Sequence, residues 1–273
     1  MDFTIVTPSY NYGRYISECL ESVAVQEGVT LEHLVMDAQS SDNTADVVAR
    51  YPHASLFREP DKGMSDAINK GFKLAKGNWV MWLNADDRLK PGALSTVKEW
   101  AESHPRSDIL YGCWNFIDEV GSFKRRMTLF PYSQNMMLYV GCYIGSTSTF
   151  LRKSTVIDEG HHLSIDFKYV MDGEYYARLG HIGKTFTYIP HVLADFRLHG
   201  GNLSKRNYSD QSVGGWLALQ KQFAETRAYR RSYGIRLFSD ENLNTLTDAF
   251  LYLIYRALKP VMKLIYKFLH GPT

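Results

Sequence analysis

Short apolar runs alternate with helical spacings along the first hundred residues. Phe3 to Thr7 reads as a strand. Ile16, Cys19, Leu20, Val23 and Ala24 then fall at i, i+3, i+4, i+7 and i+8, the spacing of a helix with one buried stripe. Leu31 to Met36 is a second strand, and Asp42 can cap a short helix through Val47 and Val48. Ala54 to Arg58 is a third strand. Ser65 can cap a helix carrying Ile68, Phe72 and Ala75. Trp79 to Leu83 is a fourth strand, and Pro91-Gly92 opens another helix. This alternation predicts an α/β fold: a mostly parallel sheet with helices on both faces.

After residue 108 the pattern changes. Asp108 to Trp114 reads as a strand, and Phe116 to Met127 as a hairpin around Gly121. Ser146 to Arg152 is a further strand, with helices over 153–159 and 172–180. Two extended runs follow, Thr185 to Ile189 and Val192 to Leu198, and from about 208 the chain is helical in character. The expected division is a domain over 1–205, with halves 1–107 and 108–205, and a helical extension over 206–273.

Three polar clusters fall where strands end: Thr7-Pro8-Ser9-Tyr10, Asp37-Ala38-Gln39-Ser40 and Asn84-Ala85-Asp86-Asp87. In open α/β sheets ligands bind at the carboxyl ends of the strands, so parallel strands would bring all three to one crevice. Neither GxGxxG nor GxxxxGK[ST] occurs, which argues against a dinucleotide-dependent dehydrogenase or a P-loop enzyme. A diphosphate in such a crevice needs other neutralisation, and a divalent cation on carboxylate oxygens supplies it. The net charge of +2 over 273 residues does not suggest a nucleic-acid partner. Three scattered cysteines without a CxxC pair read as reduced thiols of a cytosolic protein. MDFTIVTPSY lacks the regions of a signal peptide, and no run of about 18 uncharged apolar residues suggests a membrane span.

Four motifs in order, TPSYNYGRYISECLESVAVQ, DAQSSDNT, DKGMSDAINKG and WLNADDRLKPGAL, resemble those of the inverting family 2 nucleotide-sugar glycosyltransferases. MDGEYYARLG and FRLHGGNLS resemble later elements of that family. The resemblance spans roughly residues 3 to 200 and implies a GT-A fold. It also implies roles. Thr7, Pro8 and Ser9 would line the nucleotide pocket, Tyr10 would flank the base, and Asp37 would accept the N3–H of uracil. Lys62, Gly63 and Asp66 would lie beside ribose, diphosphate and sugar. Asn84-Ala85-Asp86 stands in place of the DxD motif, with Asp86 on the metal and Asp87 near the donor sugar or supporting the site. Asn84 departs from the strict pattern, being an uncharged amide that can still bond a ribose hydroxyl.

Beside the resemblance, His199 is a candidate second ligand for Mn²⁺ or Mg²⁺. Arg197 is a candidate for phosphate, because a guanidinium matches its oxygens bidentately. Asp172 matches the family position of the general base that takes the acceptor proton. Read without the family, Asp172 is a helix cap, Asp37 a turn residue and Asp86-Asp87 a turn before a helix. Glu174 is the alternative base, and Arg178 a structural partner for these acids. At the C-terminus, Arg256, Lys259, Lys263 and Lys267 recur among apolar residues over 250–273, with no acidic residue between them. That pattern fits a helix on an anionic membrane surface, apolar side down. The expected protein is a metal-dependent enzyme at the inner face of the cell membrane. It would move a sugar from a nucleotide donor, UDP-linked by the Asp37 role, to a glycan or lipid-linked acceptor of a surface polysaccharide. A catalytically silent nucleotide-sugar-binding or membrane scaffold protein is the alternative.

Overall fold

The computed structural model describes residues 1–202, 213–234, 246, 249–254, 256–258, 260 and 261. Its centre is a nine-stranded mixed sheet. β1 (Phe3–Ser9), β2 (Leu31–Asp37), β3 (Ala54–Arg58) and β4 (Trp79–Trp82) form a parallel half, ordered β3-β2-β1-β4. β1 and β4 are buried throughout, because a central parallel strand is covered on both faces; β4 is apolar along its length, whereas β1 also buries Thr4, Thr7 and Ser9. Helices α1 (Ile16–Ala24), α2 (Thr44–Val48) and α3 (Met64–Leu74) make the crossovers. Leu34 and Met36 enter the large hydrophobic cluster and Val35 the smaller one, so alternate residues of β2 serve the two faces.

The second half is woven differently. β5 (Arg88–Leu89) precedes α4 (Ala93–Ser103), and β6 (Ile109–Ile117) with β7 (Phe123–Met127) forms the expected hairpin. α5 (Gln134–Tyr139), β8 (Thr149–Arg152), α6 (Met171–His181), β9 (Phe186–Arg197) and α7 (Val213–Tyr233) follow. β8 runs antiparallel between β4 and β6, while β9 lies parallel to β6 and antiparallel to β5.

Several local expectations change. The two extended runs at 185–198 are one strand, with an irregular register opposite Gly112 and Cys113 that absorbs Pro190-His191. β5 is too short for periodicity to show it, and α5 escapes because its residues carry no alternation of apolar and polar positions. Ser146–Ser148 is a 3₁₀ turn before β8, and 153–159 shrinks to a π-helical turn over Lys153–Ile157. Ser65 does not cap α3. Gly63 holds that position with φ 111°, and Ser65 sits in the first turn with its hydroxyl on Met171 Sδ at 3.2 Å. The helical character after 208 is observed in α7. Lys259, Lys263 and Lys267 of the basic C-terminal pattern lie outside the described residues. Among the described residues no helix is long and apolar enough to cross a membrane.

α3 leads into β4 through Gly77, whose backbone lies directly on β1. A Cβ there would stand 2.3 Å from Phe3 C and 2.4 Å from Thr4 N. Gly77→Ala is expected to cost about 2 kcal/mol through displaced backbone, lowering Tm by ~4–8 °C in a thermal melt.

Candidate active site

The parallel half carries its polar clusters to one edge. Ser9 pairs with Asp37 at the ends of β1 and β2, and Leu83 N–H donates to Val6 O just beyond β4. The chain then turns, with Asp87 N–H donating to Asn84 O at 3.0 Å. β5 follows at once and pairs Arg88 with Asp195 and Leu89 with Ala194. That short pairing delivers the end of β9 to the carboxylate corner.

Arg197 seals the junction, and its role differs from the phosphate contact expected of it. It is fully buried. Its Nε donates to Asp86 O at 2.9 Å, Nη1 to Glu119 O at 3.0 Å and Nη2 to Glu18 Oε2 at 2.7 Å. Its backbone N–H donates to Asp87 Oδ1 at 2.9 Å. The guanidinium faces inward because a buried cation needs its donors satisfied. Asp87, also buried, accepts Asn84 Nδ2 at 3.1 Å on its other oxygen and supports the corner from behind. Burial and the adjacent Asp86 charge push its carboxyl well above the ordinary range, against the pull of those two donated bonds.

Two residues beyond Arg197, His199 Nε2 stands 2.7 Å from Asp86 Oδ2. Asn202, for which sequence reasoning found no role although FRLHGGNLS contains it, donates to the same oxygen at 3.3 Å and to Arg197 O at 3.0 Å. Gly201 N–H donates to His199 Nδ1 at 3.0 Å, so a neutral ring here carries its proton on Nε2. Tyr15 lies against the imidazole, with ring centres 4.9 Å apart. Asn84 Oδ1 is buried and has no hydrogen-bond partner among the described residues. Among those residues no group of three His, Cys, Asp or Glu gathers as a metal cage. The corner instead presents one carboxylate, one imidazole and one unpaired amide oxygen. Such a set fits a hard cation that takes its remaining ligands from phosphate and water.

Pro8, Ser9, Tyr10 and Gly63 line a cavity of about 460 Å³ together with Ala38 and Asp61. Ser9 Oγ is buried there without a partner among the described residues, and Tyr10 is exposed at the rim. Thr7 does not line this cavity. It points into the core, 2.8 Å from His33 Nε2, because its neighbours in β1 alternate faces. Asp37 is buried behind Ala38. It accepts the Ser40 hydroxyl and, at 3.0 Å, the Ser40 N–H, with Arg58 Nε at 3.4 Å, so the turn role is realised. Lys62 is exposed beside the cavity, and its backbone N–H donates to Asp66 Oδ2 at 3.0 Å. Asp66 also pairs with Lys70 at 3.6 Å.

Asp172 meets this crevice from the other half. One cavity of about 150 Å³ is lined by Asn84, Ala85 and Asp86 together with Met171, Asp172, Ser146 and Tyr12. Asp172 opens α6, and its Oδ1 accepts the Gly173 N–H at 2.8 Å. A helix N-terminus alone would lower its pKa. Enclosure by protein outweighs that and raises it. Glu174, the alternative base, is buried and committed: Arg178 Nε donates to it at 2.7 Å and Tyr233 OH at 3.0 Å. Arg178 is thus the structural partner expected of it.

This geometry brings the Asp86–His199 corner and the Asp172 carboxyl to one cavity, at the strand ends of the parallel half. Residues 4–160, more than half of the chain, match the profile of glycosyl transferase family 2. The chain belongs to glycosyl transferase family 2. It is 34% identical over 116 residues to the PGL/p-HBAD biosynthesis glycosyltransferase of Mycobacterium tuberculosis (H37Rv), a match covering 40% of this chain and 45% of that one. The chain therefore spans less than half the length of those curated relatives. It is 23% identical over 235 residues to the chondroitin synthase of Pasteurella multocida, covering 84% of this chain and 24% of the synthase. In structure it is similar to Staphylococcus aureus TarS 1–349 in complex with UDP-GlcNAc, with TM-score 0.63 and 17% identity over 87% of this chain and 77% of the other. A mannosyltransferase of Pyrobaculum calidifontis in complex with GDP-Man and Mn²⁺ aligns with TM-score 0.58 and 16% identity, over 99% of this chain and 88% of the other. The expected GT-A architecture is the fold this family member adopts.

Sequence reasoning missed Glu225. From α7 it accepts the backbone N–H groups of Lys168 (3.2 Å), Tyr169 (2.8 Å) and Val170 (3.2 Å), the loop that leads into Asp172. No local pattern marks a residue that acts 55 positions away. Glu225→Ala leaves three donors to water and is expected to cost about 1–3 kcal/mol, seen as a lower Tm. Glu225→Gln, which retains an acceptor oxygen, should lose less than the alanine variant.

Proposed function

We propose that this protein is a divalent-cation-dependent, inverting glycosyltransferase that moves a sugar from a nucleotide donor to a glycan or lipid-linked acceptor in surface-glycan synthesis. The observation carrying this reading is the single cavity flanked by Asp86 and Asp172. The nucleoside would occupy the pocket of Pro8, Ser9, Tyr10 and Gly63, and its diphosphate would reach Asp86. Donors of two nucleotide types were captured in proteins of this fold, UDP-GlcNAc and GDP-Man. A UDP donor is the member we propose, from the Asp37 position, although Asp37 is presently engaged by Ser40.

Asp86 and His199 would hold the cation, with Asn84 Oδ1 beside them. Bound there, the cation supplies charge neutralisation for the departing diphosphate. His199 needs its other tautomer to ligate through Nε2, so the Gly201 N–H must turn away from Nδ1. Two consecutive glycines, Gly200 and Gly201, make that turn sterically easy. Lys168, exposed and lining this cavity, is the candidate among the described residues for the phosphate contact expected of Arg197. Asp172 receives the proton of the acceptor hydroxyl as its oxygen bonds to the anomeric carbon. The bond from that carbon to the phosphate oxygen breaks on the opposite side, and its electron pair leaves with the nucleoside diphosphate. One displacement inverts the configuration. For the proposed membrane-surface role of 250–273, the supporting observation is that Phe250, Leu253 and Val261 are exposed.

A base must be unprotonated to work. The raised Asp172 pKa therefore predicts full transfer at high pH, lost as pH falls through a value higher than that of a free aspartate. Cys142, Tyr176 and Tyr229 face it and stay neutral in that range, so they add nothing to this acid limb. The kcat/KM profile should show that limb. Asp172→Asn should lower kcat by ~10²–10⁴-fold while UDP affinity, by titration calorimetry, stays unchanged. Equal turnover by the variant would remove the base. In the same calorimeter Mn²⁺ should tighten UDP binding, and Asp86→Asn should forfeit about tenfold or more of that gain.

A further inference from the structure

Asp172 has a second open side. A separate cavity of about 690 Å³ adjoins it, and Tyr169 and Asp172 line both this cavity and the one that reaches Asp86. Its far wall is α7 with the helical segment at 249–252, through Phe223, Thr226, Tyr229 and Tyr252. These residues lie outside the segment 4–160 that matches the family profile. Val140 and Val170 add aliphatic surface. Arg230 is the one cation among the described lining residues, and its Nε already donates to Leu138 O at 2.5 Å. The wall is no loose appendage: Tyr229 is buried in the main core, and Glu225 ties α7 to the loop before Asp172.

Resting on the transferase reading above, we propose that this cavity is the acceptor subsite and that it takes a glycoside carrying an apolar aglycone. A hydroxyl held at the wall that the two cavities share can give its proton to Asp172 while its oxygen reaches the anomeric carbon from the side opposite the departing phosphate, as single displacement requires. The volume suits a small molecule, whereas the donor-side gap leaves room for little more than the transferred sugar. Tyrosines offer ring faces to a pyranose and hydroxyls to its polar edge. The aliphatic and phenylalanine surface has no use for a fully hydrated glycan, and a single engaged arginine does not suit a polyanionic one. Acceptor choice is thereby vested in the helical extension, apart from the donor pocket in the parallel half.

Cys142 gives a direct readout. It lines the cavity and is exposed, while Cys19 and Cys113 are buried. Labelling of the whole protein by a maleimide, followed by mass spectrometry with UDP and Mn²⁺ present, should be slowed at Cys142 by at least one n-octyl glycoside. The probes are the octyl β-glucoside, β-galactoside and α-mannoside below their micellar concentrations. Free glucose, galactose and mannose should be weaker by about tenfold or more. Thr226→Trp fills the cavity and should weaken that protection about tenfold relative to its own unliganded rate, with UDP affinity within about twofold. Ala228→Trp, exposed on the same helix outside the cavity, should protect as the parent does. No protection by any octyl glycoside, or full protection in Thr226→Trp, overturns the subsite. Equal protection by the free sugars overturns the apolar aglycone. Failure of UDP to bind the parent overturns the donor reading instead, a result distinct from both.

Discussion

The burial of one guanidinium holds the site together. Arg197 sits fully inside the protein and binds the Asp86 carbonyl, the Glu119 carbonyl and the Glu18 carboxylate at once. A charge so placed is tolerable only when every direction offers an acceptor, so α1, the turn after β4 and the β6–β7 hairpin must stay in register around it. Arg88, bonded to both Glu18 and Asp195, extends the same network to the surface. The outcome is that His199, 113 residues after Asp86, is brought within 2.7 Å of it.

The fold divides labour along its sheet. The parallel half supplies strand ends and the pocket of Pro8, Ser9, Tyr10 and Gly63; Ser9 Oγ is buried there and Asn84 Oδ1 in the neighbouring corner, both without partners among the described residues. Such groups cost free energy unless something polar arrives, which is the expected state of a binding site between ligands. The mixed half supplies α6 and its cavity-facing carboxyl. Enclosure raises the Asp172 pKa, giving it greater basicity than an exposed aspartate when it is ionised. Glu174, two residues on, points to the other side of the helix and is spent on Arg178 and Tyr233. Helical geometry separates the roles of two acids that sequence leaves as neighbours.

α7 ties these parts to the rest of the chain. Its Glu225 gathers three N–H groups of the loop before Asp172, and its Tyr229 enters the main core. A change on this helix therefore reaches the Asp172 carboxyl through the loop, without touching the Asp86–His199 corner.

The sequence by itself determined the parallel half and the place of its crevice. The apolar run at Trp79 to Leu83 and the threonine-containing run at Phe3 to Thr7 both read as strands of a parallel sheet, whose polar clusters then share an edge. Asp86, Pro8, Ser9 and Gly63 were candidates because four ordered motifs resemble the family, Asp172 from the later MDGEYYARLG, and His199 from the chemistry of imidazole alone. Which side chains face the crevice was decided by tertiary structure alone. Thr7 turned into the core, Asp37 closed on Ser40, and Arg197 bonded inward instead of meeting phosphate. Strand alternation, a local turn and the cost of a buried cation set those directions. β5, two residues long, and Glu225, acting across 55 positions, leave no periodic trace in the chain. Periodicity records what each residue does for its own element; contacts between distant elements are written only in the folded arrangement.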